Sequence, residues 1–200
     1  TDAVGGIAAY SNDKYNFADP DGARELQVTR TTAGLFPVLG APPVIGRTFG
    51  TSEMHEPLAV ISYGLLVTSF NGDTTVLGRP ISLDQKSFTI VGVMPAGFAF
   101  PDAATDVWVP IGFALTDAPA MAEVRMYRAF STVLRLAPGA SLASLRRDLD
   151  LLGTRITRSG ETTSKFGTGE SFAAHLLRDQ VVGDARQPLL ILVGAVALVL

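Results

Sequence analysis

The last 12 residues, Leu189–Leu200, read LLILVGAVALVL, without a charge or a polar side chain. A bilayer core takes about 20 apolar residues in a helix, so this run is too short to cross one by itself. It also lacks the polar surface expected of a globular terminus. The start of a transmembrane helix, cut at Leu200, meets both observations. Arg178, Asp184 and Arg186 then lie on its water side, and Pro188 falls in the first helical turn, where the amides lack partners anyway. At the other end, Thr1 has no initiator Met, signal peptide or apolar segment before it. The chain is therefore expected to be the extramembrane part of a larger membrane protein. The alternative is a soluble domain with a buried last helix.

Two hundred residues suffice for one good-sized core or two small subdomains. The net charge of -3, with 13 arginines spread along the chain rather than gathered in a basic run, argues against nucleic-acid binding by phosphate neutralisation. The absence of Cys excludes disulfides, thiolate nucleophiles and cysteine metal sites.

Along the chain, Thr1 to about Asp21 reads as polar and turn-rich. Leu26–Val28 reads as a strand leading to a helical turn at Thr32–Leu39, closed by Gly40. Gly40–Gly50 (GAPPVIGRTFG) is an ordered irregular loop, and Ser52–Pro57 an acidic, solvated turn. Leu58–Ile61 is a buried strand. Ser62 caps a helix at Tyr63–Phe70, ended by Asn71-Gly72. From Gly78 a hairpin is expected: Ile81 and Leu83 go out, Asp84–Lys86 turn, and Phe88, Ile90 and Val91 return. Asp106–Pro110 is strand-like, Ala114–Glu123 an exposed loop and Phe130–Leu136 a strand. Leu142, Leu145, Leu149, Leu152 and Ile156 then recur on one face of a helix capped by Ser141. A polar linker, Ser159–Glu170, leads to a strand near Phe172–Leu177, giving a βαβ-like unit in an α+β fold.

The residues give no positive signal for catalysis. Glu53, His55 and Glu56 offer two kinds of metal ligand, but no second cluster has the needed spacing, and a solvated acidic turn explains them better. His175 lies apart, in a predicted strand. Ser62 follows a strand and precedes a helix, yet its surroundings, ISYGL, lack the glycines of a nucleophile elbow. Neither a GxxxxGK[ST] loop nor a GxGxxG fingerprint occurs, so no nucleotide or other cofactor is expected on this chain.

The glycine-proline segments are informative as a series. VLGAPPVIGRTF (Val38–Phe49), AVISYGL (Ala59–Leu65), FNGD (Phe70–Asp73) and LGRPISL (Leu77–Leu83) are followed by FTIVGVMPAGFAFP (Phe88–Pro101) and DVWVPI (Asp106–Ile111). LRLAPGASL (Leu134–Leu142) and DQVVGDARQPLLILVGAVALVL (Asp179–Leu200) complete it. In this order they resemble the periplasmic core domain of ABC-transporter permeases of the macrolide-exporter (MacB) and FtsX-like class, most closely the large acidobacterial type. Leu66 stands where a Trp is usual, Pro37 interrupts a helix-forming stretch, and Asp84-Gln85 replaces a more typical Asn-Gly turn.

The resemblance implies a bacterial inner-membrane protein with residues 1–188 on the periplasmic side and 189–200 opening the second membrane helix. It implies a porter-like βαβ subdomain interrupted by a strand-rich insertion, about residues 32–114. The partners it implies are a cytoplasmic ABC ATPase, a second permease copy and a periplasmic or outer-envelope component. The domain would pass ATP-driven motion to the periplasmic side and would itself be no enzyme. The short connection Val181–Pro188 suits such coupling, because a long flexible linker would introduce slack.

The same motifs have a structural reading. Gly40, Gly46, Gly78, Gly92 and Gly97 fall at element ends, where left-handed backbone or close approach calls for them. Pro43, Pro95, Pro101 and Pro110 stiffen the connections. Arg47 and Arg79 are expected to brace loop carbonyls through their planar donor forks. Trp108 is a core or subdomain-interface anchor. Against the coupling role stands a membrane-anchored receptor or sensor that captures a peptide, lipid or drug. A membrane-anchored hydrolase is the third class, and no constellation supports it.

Overall fold

The strands of this chain pair so that their sheet closes on itself. The computed structural model describes residues 3–19, 22–115, 130–159 and 174–177. The chain divides into two compact units, Gly6–Arg135 and Thr1–Gly5 with Leu136–Leu200.

In the first unit, β1 (Val4–Asp19) and β2 (Gly22–Thr31) form a long antiparallel hairpin, in register from Tyr10↔Thr31 to Asp19↔Gly22. Helix α1 (Leu35–Leu39), the two-residue β3 (Ile45–Gly46) and a 3-10 turn (Thr51–Glu53) follow. Then come β4 (Leu58–Ile61), α2 (Tyr63–Phe70), β5 (Pro80–Leu83), β6 (Lys86–Val93), β7 (Thr105–Pro110), α3 (Ile111–Leu115) and β8 (Ser131–Leu136). The strand order is β2-β7-β4-β6-β5-β1-β8, and β1 also pairs with β2. Six strands, β1-β2-β7-β4-β6-β5, thus form a closed ring. The β5–β1 seam is one residue pair, Phe17↔Leu83. Beside it the Asp84 amide donates to the Asn16 carbonyl (2.9 Å), and Asp84 Oδ1 accepts from the Asn16 backbone N–H and Nδ2 at 2.8 and 2.9 Å.

The ring has a packed core on each face of β4 and β7. Ala59 and Ile61 of β4, with Val107 and Val109 of β7, point inward to Phe17, Leu26, Leu83 and Phe88, and Leu65 and Leu66 of α2 join them. Val60 and Trp108 point the other way, onto Leu35, Phe36 and Val38 of α1, Phe49, Met94 and Phe100. Burial on two sides is why both strands read as continuous apolar runs.

Several local readings hold to the residue. The Ser62 Oγ accepts from the Leu65 amide at 3.0 Å, α2 spans Tyr63–Phe70, and Asn71 ends it in the left-handed conformation. Gly40, at φ 67°, closes α1, and the Arg135 Nε of β8 donates to the Val38 carbonyl there (2.8 Å), taking up a carbonyl left open at the helix end. Pro37 sits inside the first turn of α1, where its missing N–H removes no helical bond. Leu66, at the position where the resembling family carries Trp, is buried.

Other readings are corrected. The N-terminal segment, expected to be turn-rich, is the longest strand. Its polar residues disguised it, because a strand with a solvent-facing side needs few apolar residues when a ten-pair ladder holds it. The loop Gly40–Gly50 contains β3, and α3 opens the stretch expected to be a loop at Ala114–Glu123, whose remainder lies outside the described residues.

In the second unit, α4 (Leu142–Ser159) is capped as expected: Ser141 Oγ accepts from the Ser144 amide (3.1 Å), and Ser144 Oγ accepts from the Ser141 amide (3.0 Å). Leu145 is buried, but Leu152 is 37% exposed, so the apolar stripe is only partly covered. The strand expected at Phe172–Leu177 is not formed over 174–177, and 172–173 lie outside the described residues. The Ala174 carbonyl there accepts from Arg146 Nε and Nη2, at 3.2 and 2.8 Å, instead of joining a ladder. Among the described residues β8 pairs with β1. Most of the Ser159–Glu170 linker and the run Leu189–Leu200 lie outside the described residues; among those described, no helix is long and apolar enough to cross a membrane.

Candidate functional site

Three of the glycine-proline motifs meet at one place. β3 pairs with the end of β6 through Ile45↔Val93 and Gly46↔Gly92, and the chain before β5 folds onto the neighbouring stretch of β6. The Gly78 amide donates to the Ile90 carbonyl (2.8 Å), the Ile90 amide to the Arg79 carbonyl (3.0 Å) and the Arg47 amide to the Val91 carbonyl (2.9 Å). Between these two arms lies an open groove of about 470 Å³, lined by Gly46, Arg47, Leu77, Gly78, Thr89, Ile90 and Val91.

The Gly46–Gly92 pair sets how closely the walls approach. A Cβ on Gly92 would stand 2.1 Å from the Arg47 carbonyl oxygen, and one on Gly46 would stand 2.3 Å from that of Val91. No larger residue fits either position without parting β3 from β6.

The two arginines brace their loops through acids. Arg47 makes a two-pronged contact with Glu53, Nη1 to Oε2 at 2.8 Å and Nη2 to Oε1 at 2.7 Å, and Nη1 also donates to the Thr48 carbonyl at 3.0 Å. Glu53 Oε2 accepts from the Gly50 amide at 2.8 Å. The hydrogen bonds from Arg47 and then from Gly50 hold its carboxyl below the usual range. Glu53 is therefore an arginine partner rather than the metal ligand considered beside His55 and Glu56. Among the described residues no group of three acids or histidines is placed to hold a metal ion. Arg79 Nη2 donates to Asp73 Oδ2 and to Thr75 Oγ1, a carboxylate and a hydroxyl rather than the carbonyls expected. Hydrogen bonds from Thr75, and then those of Arg79, lower the Asp73 carboxyl.

The remaining motif residues lie elsewhere. Pro95 and Gly97 form a tight turn in which the Phe98 amide donates to the Pro95 carbonyl (3.1 Å). Trp108 is fully buried, its Nε1 donates to the Phe100 carbonyl at 3.0 Å, and Phe98 and Phe36 pack against its ring at 5.2 and 6.3 Å. Gly40 belongs to the α1 cap. His175 is exposed. Asp106, half-buried in β7, accepts from the Gln27 amide at 3.0 Å, and burial pushes its carboxyl up.

Leu77, Thr89, Ile90 and Val91 complete the groove without any motif signal of their own, since they look like ordinary strand and loop residues. The groove offers apolar surface with one charged rim group, already engaged by Glu53. Such a site can accept an apolar side chain or hydrocarbon, and its lining supplies no acid-base pair.

No curated protein matches the chain. Among solved structures, the periplasmic region of MacB from Actinobacillus actinomycetemcomitans is similar, with a TM-score of 0.61 and 11% identity over 82% of this chain and 79% of that one. The extracellular domain of the noncanonic ABC-type transporter YknZ from Gram-positive bacteria gives a TM-score of 0.60 at 15% identity, covering 81% and 79%. At such identity these likenesses speak for the fold, a strand-rich α+β architecture. The sequence also matches the MacB-like periplasmic core domain over residues 2–152, and with that match the chain belongs to the MacB-like periplasmic core domain family.

Proposed function

We propose that this chain is the extracytoplasmic domain of an ABC-transporter permease and that it couples ATP-driven transmembrane motion to export or signalling on the periplasmic side. The family match over residues 2–152 carries the reading. Physical support comes from the ring, whose β4 and β7 strands are packed on both faces, because a part that relays motion must resist deformation. In this reading the apolar run Leu189–Leu200 enters the membrane directly after the domain. A cytoplasmic ABC ATPase, a second permease copy and a periplasmic or outer-envelope component are the partners, and residues 32–114 act as an insertion into a porter-like frame.

The test is made in the full-length permease with its ATPase, reconstituted in vesicles. Removing the domain is expected to abolish export while ATP hydrolysis persists at a comparable rate. Retained export without the domain sinks the coupling role. The 470 Å³ apolar groove favours a second reading, a receptor that captures a peptide, lipid or drug. That reading requires a ligand-dependent rise in melting temperature of the isolated chain, which coupling alone does not.

A further inference from the structure

On the inner face of the β1–β2 hairpin, Ser11 stands directly across from Arg30. Strand alternation puts Ser11 and Asp13 on the same side as Tyr15 and Phe17, and Arg30 on the same side as Leu26 and Val28. On its other flank Arg30 is in register with Val109 of β7, which is 1% exposed. The arginine stem is thus set against apolar neighbours, with the hydroxyl-bearing Ser11 directly opposite. Arg30 Nη2 reaches Asp13 Oδ2 at 3.2 Å.

Two atoms at this place have no hydrogen-bond partner among the described residues, the Nε of Arg30 and the Oγ of Ser11, and both are shut from solvent. Ser11 itself is 6% exposed. A buried donor left unpaired is destabilising, and folded proteins nearly always satisfy such groups with protein or with ordered water. Nε–H can only donate, whereas a serine hydroxyl donates or accepts, so the group that satisfies both must offer an accepting oxygen. Ser11 and Arg30 are directly opposed, and Cβ atoms of such pairs lie about 4.5–5.5 Å apart, so the serine hydroxyl and the arginine side chain share one neighbourhood. Charge and size select the nature of the group that satisfies both. The guanidinium is already matched by Asp13, which leaves no excess positive charge to draw an oxyanion, and atoms closed to a water-sized contact from outside leave no entry for a larger molecule.

We propose that Ser11 and Arg30 hold a single internal water molecule, which accepts from Arg30 Nε–H and shares a hydrogen bond with Ser11 Oγ. It pins the two strands of the hairpin where the inner face turns from apolar to polar. The test is the sign of one conservative substitution in the 200-residue chain, read by urea unfolding, together with the density at the site. If the water is present, Ser11→Ala removes one of its anchors and lowers the folding equilibrium constant about fivefold. If Ser11 is simply an unsatisfied hydroxyl, the same change is neutral or stabilising, and the proposal falls. A crystal structure at about 1.5 Å should show one compact peak within hydrogen-bond distance of both atoms. An empty site overturns the proposal, and so does elongated density of a bound oxyanion.

Discussion

Gly92 and Gly46 show how a single missing side chain sets the spacing of two strands. A Cβ at Gly92 would fall 2.1 Å from a backbone oxygen, which cannot swing aside as a side chain can. Gly92→Ala is therefore expected to destabilise the chain by about 3 kcal/mol, with β3 detached from β6. A shift of the urea midpoint equivalent to less than about 0.5 kcal/mol would show that the contact yields easily. That these glycines matter was legible from the motifs VIGR and IVGV; that they face each other was not, because their separation of 46 positions carries no local signal. Glu53 makes the same point. Its neighbours His55 and Glu56 suggested an acidic turn, yet its carboxylate serves Arg47, and a loop pairing six residues apart follows no helical or strand period.

At the scale of elements, legibility followed the strength of the punctuation. Helix α2 was readable at both ends because Ser62 and Asn71-Gly72 supply the cap and the stop. The β5–β6 turn was readable too, and its residues adopt the left-handed conformation that makes Asn-Gly common there: Asp84 has φ 48° and Gln85 φ 64°. The two positions are not equivalent. Gln85→Gly is expected to stabilise by about 0.5–1 kcal/mol, since it relieves a strained backbone. Asp84→Gly removes the bonds to Asn16 at the ring's seam, and a loss of about 1 kcal/mol is expected despite the freer backbone. Paired unfolding curves check both; if the two variants move in the same direction, the seam role of Asp84 is wrong. The first strand escaped notice because Ser11–Asn16 has the composition of a loop, and only pairing with β2 makes it a strand.

For the molecule as a whole, closure of the ring orders the stabilities of its parts. β4 and β7 are flanked on both edges and buried on both faces, whereas β8 follows β1 at the end of the strand order and is largely exposed. Backbone amides of β4 and β7 should therefore exchange with solvent orders of magnitude more slowly than those of β8, as hydrogen-exchange mass spectrometry can read. Equal protection in all three would contradict this account of where the core lies. The amino-acid sequence by itself determined the helices with marked ends, the doubly buried strands, the tight turns and the family, since each rests on residue types within a short window. It did not determine that β1 is a strand, that β1 and β5 close a ring, or that Gly46, Arg47 and Gly78 share a groove. Those depend on contacts between residues far apart along the chain, and such contacts form only when burial of the two cores offsets the loss of chain entropy.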